Sequence, residues 1–295
     1  MKFDRSLDAP PGIEMRLSPL VSRVLAPNPS PFTFRGTGVY IIGQGPGVVV
    51  IDPGPAIPGH IENLQQLLAP RRISHILVTH THRDHSPAAQ ALKLWSGAPT
   101  YGLPLATCAA SADSQEAMVD EAHDHDFVPD VAVRDGMRIE GDGFELECVA
   151  TPGHTANHIC YALAPEGALF SGDHVMGWST SVIAPPDGNM GDYLASLEKL
   201  ASRGDKILYP THGSPITNPD DWIGQLIAHR RMRESQIMAA LSGHAQTVQE
   251  LAAGLYPGIE SVLRPAAGQQ IAAHLDHLAS RGQVMREGGY WRLKT

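Results

Sequence analysis

Thr79-His80-Thr81-His82-Arg83-Asp84-His85 is the stretch that decides the fold. Ahead of it, Ile73 to Val78 is rich in apolar and β-branched residues, which predicts a buried strand. Behind it, Ser86-Pro87 and then Ala88 to Trp95 predict a capped helix with proline at its start. Three imidazoles and a carboxylate therefore lie where a strand hands over to a helix. If strand alternation continues, His80 and His82 share a face. Asp84 and His85 then turn with the chain and can face a second ion nearby. A solvated polar loop has no need of such a set, whereas a metal site does.

At 295 residues the chain can bury one large core or two smaller ones. Its 42% hydrophobic and 18% charged content is that of a globular protein. No apolar run is long enough for a transmembrane helix, so no membrane partner is expected. The charged, proline-rich start lacks a signal-peptide pattern, so the expected location is the cytoplasm. Cys108, Cys148 and Cys160 are odd in number and scattered, which fits reduced thiols better than a disulfide framework or zinc knuckle. The net charge of −9 is uneven: residues 1–222 carry 14 basic and 26 acidic side chains, and residues 223–295 carry 8 and 5. The mildly basic tail hints weakly at a polyanion-facing surface, although such a balance is more often only a solvated face.

The pattern of strand, tight turn and metal-competent side chain recurs along the chain. Val21 to Ile42 predicts two strands, and Val48-Val49-Val50-Ile51 predicts another, ending at Asp52-Pro53-Gly54. Asp52 reads either as a carboxylate that orients a ligand imidazole or as a turn aspartate. A helix is expected over His60 to Leu68. Phe144 to Ala150 leads into Thr151-Pro152-Gly153-His154, Ala168 to Ser171 into Gly172-Asp173-His174, and Lys206 to Tyr209 into Pro210-Thr211-His212. Ligands presented from several strand ends on one edge make a site held by a rigid sheet. The acidic, helix-prone segment Ala109 to Asp130 holds His123-Asp124-His125-Asp126, which reads as an exposed loop or helix end.

The ordered series resembles the metallo-β-lactamase-fold hydrolase superfamily over about residues 20–215. It rests on His80-x-His82-x-Asp84-His85, Thr-Pro-Gly-His154, Ser-Gly-Asp173 and Thr-His212-Gly. The resemblance implies an α/β fold, a four-layer αββα sandwich with the site along one edge of two facing sheets. It also implies that His80, His82 and His154 hold one divalent ion, that Asp84, His85 and His212 hold a second, and that Asp173 bridges them. Five imidazoles and two carboxylates without a thiolate suit zinc first, with manganese or iron also compatible. Two ions about 3.5–4 Å apart can hold a hydroxide between them and polarise the substrate oxygen. Asp84 could accept a hydrogen bond from that hydroxide and aim it. His174 is the candidate proton donor to the leaving group, although a core or supporting histidine is its favoured reading. His158 reads as a support for the ligand set and not as a catalytic group. An aspartate at 173, where true β-lactamases of the superfamily have cysteine or serine, argues against antibiotic hydrolysis. Phosphodiesterases, glyoxalase-type thioesterases and lactonases share the bridging aspartate.

The composition changes after Pro215. Helices are expected over Ile223 to Leu241, Thr247 to Leu255 (capped by Thr247) and Gln269 to Leu278. A hairpin follows over Gln283 to Leu293. These elements resemble a winged-helix domain, giving two expected domains, residues 1–222 and 223–295. With that tail the chain is similar to the lactamase-beta-like endoribonuclease branch, which acts on single-stranded RNA. Pro29-x-Pro31-Phe32-Thr33 and Gly177-Trp178-Ser179-Thr180-Ser181 add local likeness, and Gly38 departs from the asparagine of that branch. Arg264, Arg281, Arg286 and Arg292, with exposed Tyr290 or Trp291 for stacking, would contact RNA. Alternatively the module packs against the active site or builds a homodimer. The third helix carries Asp276 as its one charged residue besides histidines, so sequence-specific DNA reading is not expected. The expected activity is metal-dependent hydrolysis, of single-stranded RNA first, and of a small thioester, ester or lactone as the alternative. A catalytically idle, metal-binding regulatory protein is the competing class.

Overall fold

Strands that are apolar without a break become the covered layers of a sandwich. The computed structural model describes residues 1–105 and 122–294. One sheet has seven strands in chain order: β1 (Met15–Arg16), β2 (Val21–Leu25), β3 (Gly38–Ile42), β4 (Gly47–Ile51), β5 (Arg72–Leu77), β6 (Thr100–Gly102) and β7 (Val131–Ala132). Pairing is antiparallel from β1 to β4 and parallel from β4 to β7. The crossover from β4 to β5 is α1 (Pro58–Leu68), and that from β5 to β6 is α2 (Ala88–Ser96). The second sheet comprises β8 (Arg138–Glu140), β9 (Glu145–Ala150), β10 (Ile159–Leu163), β11 (Ala168–Gly172) and β12 (Ile207–Pro210), ordered β12-β11-β10-β9-β8. Here α3 (Met190–Ala201) separates the parallel pair β11 and β12.

Alternation along each strand divides the core. In β3, Tyr40 and Ile42 face the space between the sheets with Leu146, Tyr161 and Phe170. Val39 and Ile41 face outward, where Leu64 and Leu68 of α1 and Leu92 of α2 cover them. In β10, Cys160 and Ala162 turn to the other outer layer, against Leu197 of α3 and Ile223 and Leu226 of α4 (Pro219–Leu241). Coverage on both faces is why these strands read as continuous apolar runs. The result is the expected αββα sandwich.

The tail folds as a helical module with a hairpin. It contains the C-terminal half of α4, α5 (Val248–Leu255), α6 (Arg264–Ser280), β13 (Val284–Glu287) and β14 (Tyr290–Leu293). Its own core joins Ile237 and Leu241 of α4 to Leu251, Ile271, Leu275, Leu278, Val284 and Trp291. Thr247 caps α5 in a reciprocal capping box with Glu250. Because α4 packs its first half on the sandwich and its second half in the module, one rigid helix belongs to both cores.

Several local expectations change. Ser86 does not cap α2, because its hydroxyl donates to Asp124 instead. Helix α6 begins at Arg264, earlier than expected, with Pro265 in its first turn. Helix α3 was not expected at all, although Asn189 marks its start by accepting from Asp192 N. Cys148 and Cys160 are buried free thiols, and Cys108 lies outside the described residues, as does most of the acidic segment from Ala109.

Candidate metal centre

Five strands end on one edge, and each delivers a polar side chain there. In-register parallel pairing of Ile51 with Leu77 sets Asp52 beside the turn that carries Thr79. Pairing of Gly172 with Pro210 does the same for Asp173 and His212. Gly172 has φ +52°, and a Cβ there would lie 2.5 Å from His158 Nε2, so glycine is required just before Asp173.

Donor atoms converge within 4.8 Å in three buried groups: His80, His82 and His154; His80, His85 and Asp173; and Asp84, His85 and His212. His82 Nδ1 is 3.0 Å from His80 Nε2 and 3.2 Å from His154 Nε2. His212 Nε2 lies 3.0 Å from Asp84 Oδ2 and 3.3 Å from Asp173 Oδ2. His85 Nε2 lies 3.3 Å and 3.6 Å from the same two oxygens.

Surrounding groups set which ring nitrogen faces inward. Thr79 Oγ1 donates to Asp52 Oδ2 at 2.8 Å and therefore accepts from His80 Nδ1 at 3.0 Å. His85 Nδ1 donates to Asp52 Oδ2 at 3.0 Å, His154 Nδ1 to the Val182 carbonyl at 2.6 Å, and His212 Nδ1 to the Gly36 carbonyl at 3.2 Å. When neutral, each of these rings turns its Nε2 lone pair into the cluster, the arrangement that metal-binding imidazoles require. Thr37 Oγ1 likewise donates to Asp84 Oδ2 at 3.0 Å. The fit to cations is further marked by His85 Nε2 and Asp173 Oδ1, both buried without a hydrogen-bond partner among the described residues.

Electrostatics divides the cluster. Burial, aided by neighbouring imidazoles, holds His80 and His82 well below the ordinary histidine range, and burial also lowers His154. Burial opposes charge at His85 and His212 too, but the Asp84 and Asp173 carboxylates outweigh it. His85 is raised well above its ordinary value, and His212 to about 10. Burial would raise Asp84 and Asp173, yet the same imidazoles hold both carboxyls low. One half is thus a neutral nitrogen trio, and the other is charge-paired.

Residues 33–212 match the metallo-beta-lactamase superfamily, and residues 247–291 match the beta-lactamase associated winged helix domain. This chain belongs to the metallo-β-lactamase superfamily. It is 31% identical over 277 residues to the beta-lactamase-like protein 2 homolog of Caenorhabditis elegans, covering 91% of this chain and 87% of that protein. It is 33% identical over 233 residues to an atrochrysone carboxyl ACP thioesterase of Paecilomyces divaricatus, covering 78% and 67%. A beta-lactamase domain protein from Burkholderia ambifaria shares the fold with a TM-score of 0.81 at 20% identity, over 98% of this chain and 95% of that one.

The chain is accordingly a metallo-β-lactamase-fold hydrolase with a winged-helix domain. Its seven expected ligand residues meet at one site, with Asp52 directly behind them. His158 lies behind the site as well, with its ring 5.2 Å from that of His80 and its Nδ1 2.8 Å from Thr151 Oγ1. Of its two readings, His174 takes that of a core histidine, which corrects its candidacy as a proton donor. It is fully buried against Tyr193, with ring centroids 4.6 Å apart, and lies outside the lining of the site cavity. Burial, then His154 and Arg230, push it down to about 3, so it stays neutral and is not placed to protonate a leaving group. His123 is a second correction. It is buried, with its ring 5.0 Å from His82, because Asp124 N donates to the Thr81 carbonyl and binds that loop to the ligand loop.

A cavity of about 210 Å³ opens over the cluster. His82, Asp84, His154, Asp173 and His212 form its floor, while Phe32, Met176, Trp178 and Val182 contribute apolar surface. Tyr256, Ile259, Leu263, Ala266, Ala267 and Gln270 of the winged-helix domain add to its wall. The Pro31-Phe32-Thr33 and Trp178-Ser179-Thr180 segments both line it. At Gly38, a Cβ would come within 2.9 Å of the Thr211 carbonyl, so this backbone leaves little room for asparagine. Sequence reasoning missed Thr37, Thr79 and Thr211 as supports. The repeated Thr-His pair at 79–80 and 211–212 was the available signal.

Proposed function

We propose that this chain is a dinuclear metal-dependent thioester or ester hydrolase acting on substrates with an apolar acyl group. The observation that carries the reading is the cavity wall: mainly apolar side chains, with Arg5 as the one arginine or lysine among its described lining residues. Apolar walls with a few convergent polar groups suit a small organic substrate. A phosphodiester chain calls for several cations along its path. The similar protein of Paecilomyces divaricatus, by name an ACP thioesterase, favours the same class.

In this reading His80, His82 and His154 would hold one ion, Asp84, His85 and His212 would hold a second, and Asp173 would face both. Zinc suits the donor set best, with manganese or iron compatible. Such ions lower the pKa of water toward neutrality and polarise the oxygen of the scissile group. Asp84, anchored by Thr37, accepts a hydrogen bond from the attacking water and aims it. The apolar wall seats the acyl group and excludes bulk water. A thiol of pKa about 8.5 leaves as thiolate without a strong general acid. That suits a site from which His174 is removed.

Single-stranded RNA is the competing substrate, favoured by the half-exposed Tyr290 and the positive balance of the tail. The test sets zinc- and manganese-loaded protein against acyl thioesters of increasing chain length, a lactone and a labelled single-stranded RNA, with Asp84→Ala as blank. Thioester turnover that is lost in the variant supports the reading. RNA cleavage lost in the variant, without thioester turnover, overturns it.

A further inference from the structure

His154 Nδ1 donates to the Val182 carbonyl at 2.6 Å, and this bond sets the direction of His154 Nε2. Val182 belongs to a segment with no helix or strand of its own. Whatever fixes residues 181–183 therefore fixes His154. Two of the fixing side chains come from beyond the sandwich. Arg230 of α4 donates through Nη2 to the Ser181 carbonyl at 2.6 Å. Gln270 of α6 accepts through Oε1 from Ile183 N at 3.3 Å. The two hold the residues immediately before and after Val182. Ser181 also ties the segment inward, its Oγ lying 2.5 Å from the Asp173 carbonyl.

The placement of Arg230 is costly and so calls for a reason. The residue is 1% exposed, its guanidinium sits 5.0 Å from the Tyr193 ring centroid, and its Nε has no partner among the described residues. Burying a guanidinium without a carboxylate partner costs stability unless its hydrogen bonds repay the desolvation. Gln270 is 7% exposed and lines the site cavity. One turn along α4 from Arg230, the buried Glu234 accepts from His277 Nδ1 of α6 at 2.7 Å, which locks the two helices together beside the clamp.

We propose that the winged-helix domain is a working part of the metal centre. Arg230 and Gln270 are positioning residues that hold His154 through Ser181–Ile183, so the His80–His82–His154 site forms fully only with the domain docked. This goes beyond packing, since the ligand side chain it orients is that of His154, while Asp173 is reached only through its backbone carbonyl. It rests on the ligand assignment above and is independent of the substrate.

Zinc alone is the probe, returned to metal-stripped full-length protein in competition with a chromophoric chelator. In Gln270→Leu and Arg230→Met, one of two zinc ions is expected to bind about 10–100-fold more weakly, as when a ligand's supporting partner is lost. The other ion keeps its wild-type affinity. Gln270→Glu retains an acceptor oxygen for Ile183 N and restores most of the loss. Leu251→Ala loosens the core of the domain without touching residues 181–183, and is expected to lower Tm while binding both ions as wild type. Wild-type affinities in Gln270→Leu and Arg230→Met would overturn the proposal. So would equal weakening of both ions in all of the variants, including Leu251→Ala. If Arg230→Met does not fold, Gln270→Leu decides. Wild-type protein that takes up no zinc would overturn the ligand assignment itself, a failure distinct from that of the clamp.

Discussion

Asp52 Oδ2 lies 3.0 Å from His85 Nδ1, although the residues stand 33 positions apart in the chain. The same oxygen accepts from Thr79 Oγ1 at 2.8 Å and Thr211 Oγ1 at 3.0 Å. One buried carboxylate thus ties together the ends of β4, β5 and β12. Asp52 also has a positive φ of 49°, which aspartate tolerates better than most residues. Asp52→Ala is expected to weaken zinc binding about 10–100-fold. Asp52→Asn keeps the backbone preference and part of the acceptor set, and should lose less. Competitive zinc titration of both variants measures the difference.

Asp84 has no neutral substitute. Its Oδ2 faces His212, His85 and Thr37 at once. Asp84→Ala is expected to lower kcat by at least about 10²-fold, the lower end of what a positioned proton acceptor contributes. Far-ultraviolet circular dichroism should remain that of the wild type. Thr37→Val removes a hydrogen bond to a charged group and should cost about 1.5–3 kcal/mol in kcat/KM. Steady-state kinetics on the thioester found active in the substrate panel reads both.

Protons and metal compete for the charge-paired half. With His212 raised to about 10 and His85 raised as well, metal-stripped protein is expected to carry protons on both rings at neutral pH. A raised histidine contributes stability that is complete below its unfolded value of about 6.5 and is lost as pH climbs through the folded value. The Tm of metal-stripped protein is therefore expected to fall between pH 7 and pH 10. Zinc binding at pH 7 should release about two protons, and affinity should rise with pH. Thermal melts with and without chelator, and proton release in weak buffer, check the two statements.

The cavity wall predicts a chain-length effect. Ile259 and Leu263 reach the site cavity from the winged-helix domain. Ile259→Ala should reduce kcat/KM for long acyl thioesters by about 1–3 kcal/mol, the value of a small apolar contact in a specificity pocket. Acetyl thioester turnover should change little. Equal losses for all chain lengths would count against an acyl-binding wall.

Trp291 and Tyr290 separate packing from contact. Trp291 is 6% exposed within the core of the winged-helix domain, which corrects its reading as a stacking platform, whereas Tyr290 is 50% exposed. Trp291→Ala is expected to destabilise the protein by about 3–5 kcal/mol. Tyr290→Ala should leave stability unchanged, and should weaken RNA binding only if RNA is the substrate. Urea unfolding and an RNA-binding titration on the two variants make the comparison.

The strand ends and the polar side chains that follow them were legible in the sequence because both are local, whereas their division into two ion sites came from the family resemblance. An apolar run followed by a tight turn and a histidine places that histidine at a sheet edge, wherever the edge lies. Spacing alone also paired His80 with His82, and Thr247 marked the start of α5 as its cap. The winged-helix pattern was readable for the same reason: helical spacing and a glycine turn are written in consecutive residues.

Relations between distant segments were decided only by the tertiary structure. His174 follows Asp173 directly, yet the turn sends one side chain into the cluster and the other against Tyr193. His123 looked solvated among aspartates until a backbone pairing carried it beside His82. Nothing in the helical pattern of residues 223–241 marked Arg230 for burial, but α4 turns it inward to the Ser181 carbonyl. Sequence by itself determined which side chains stand at the strand ends, since strand periodicity and turn chemistry act over a few residues. Which of them share a cavity, and what holds each ring, was decided by long-range packing of two sheets and a bridging helix, for which no local pattern exists.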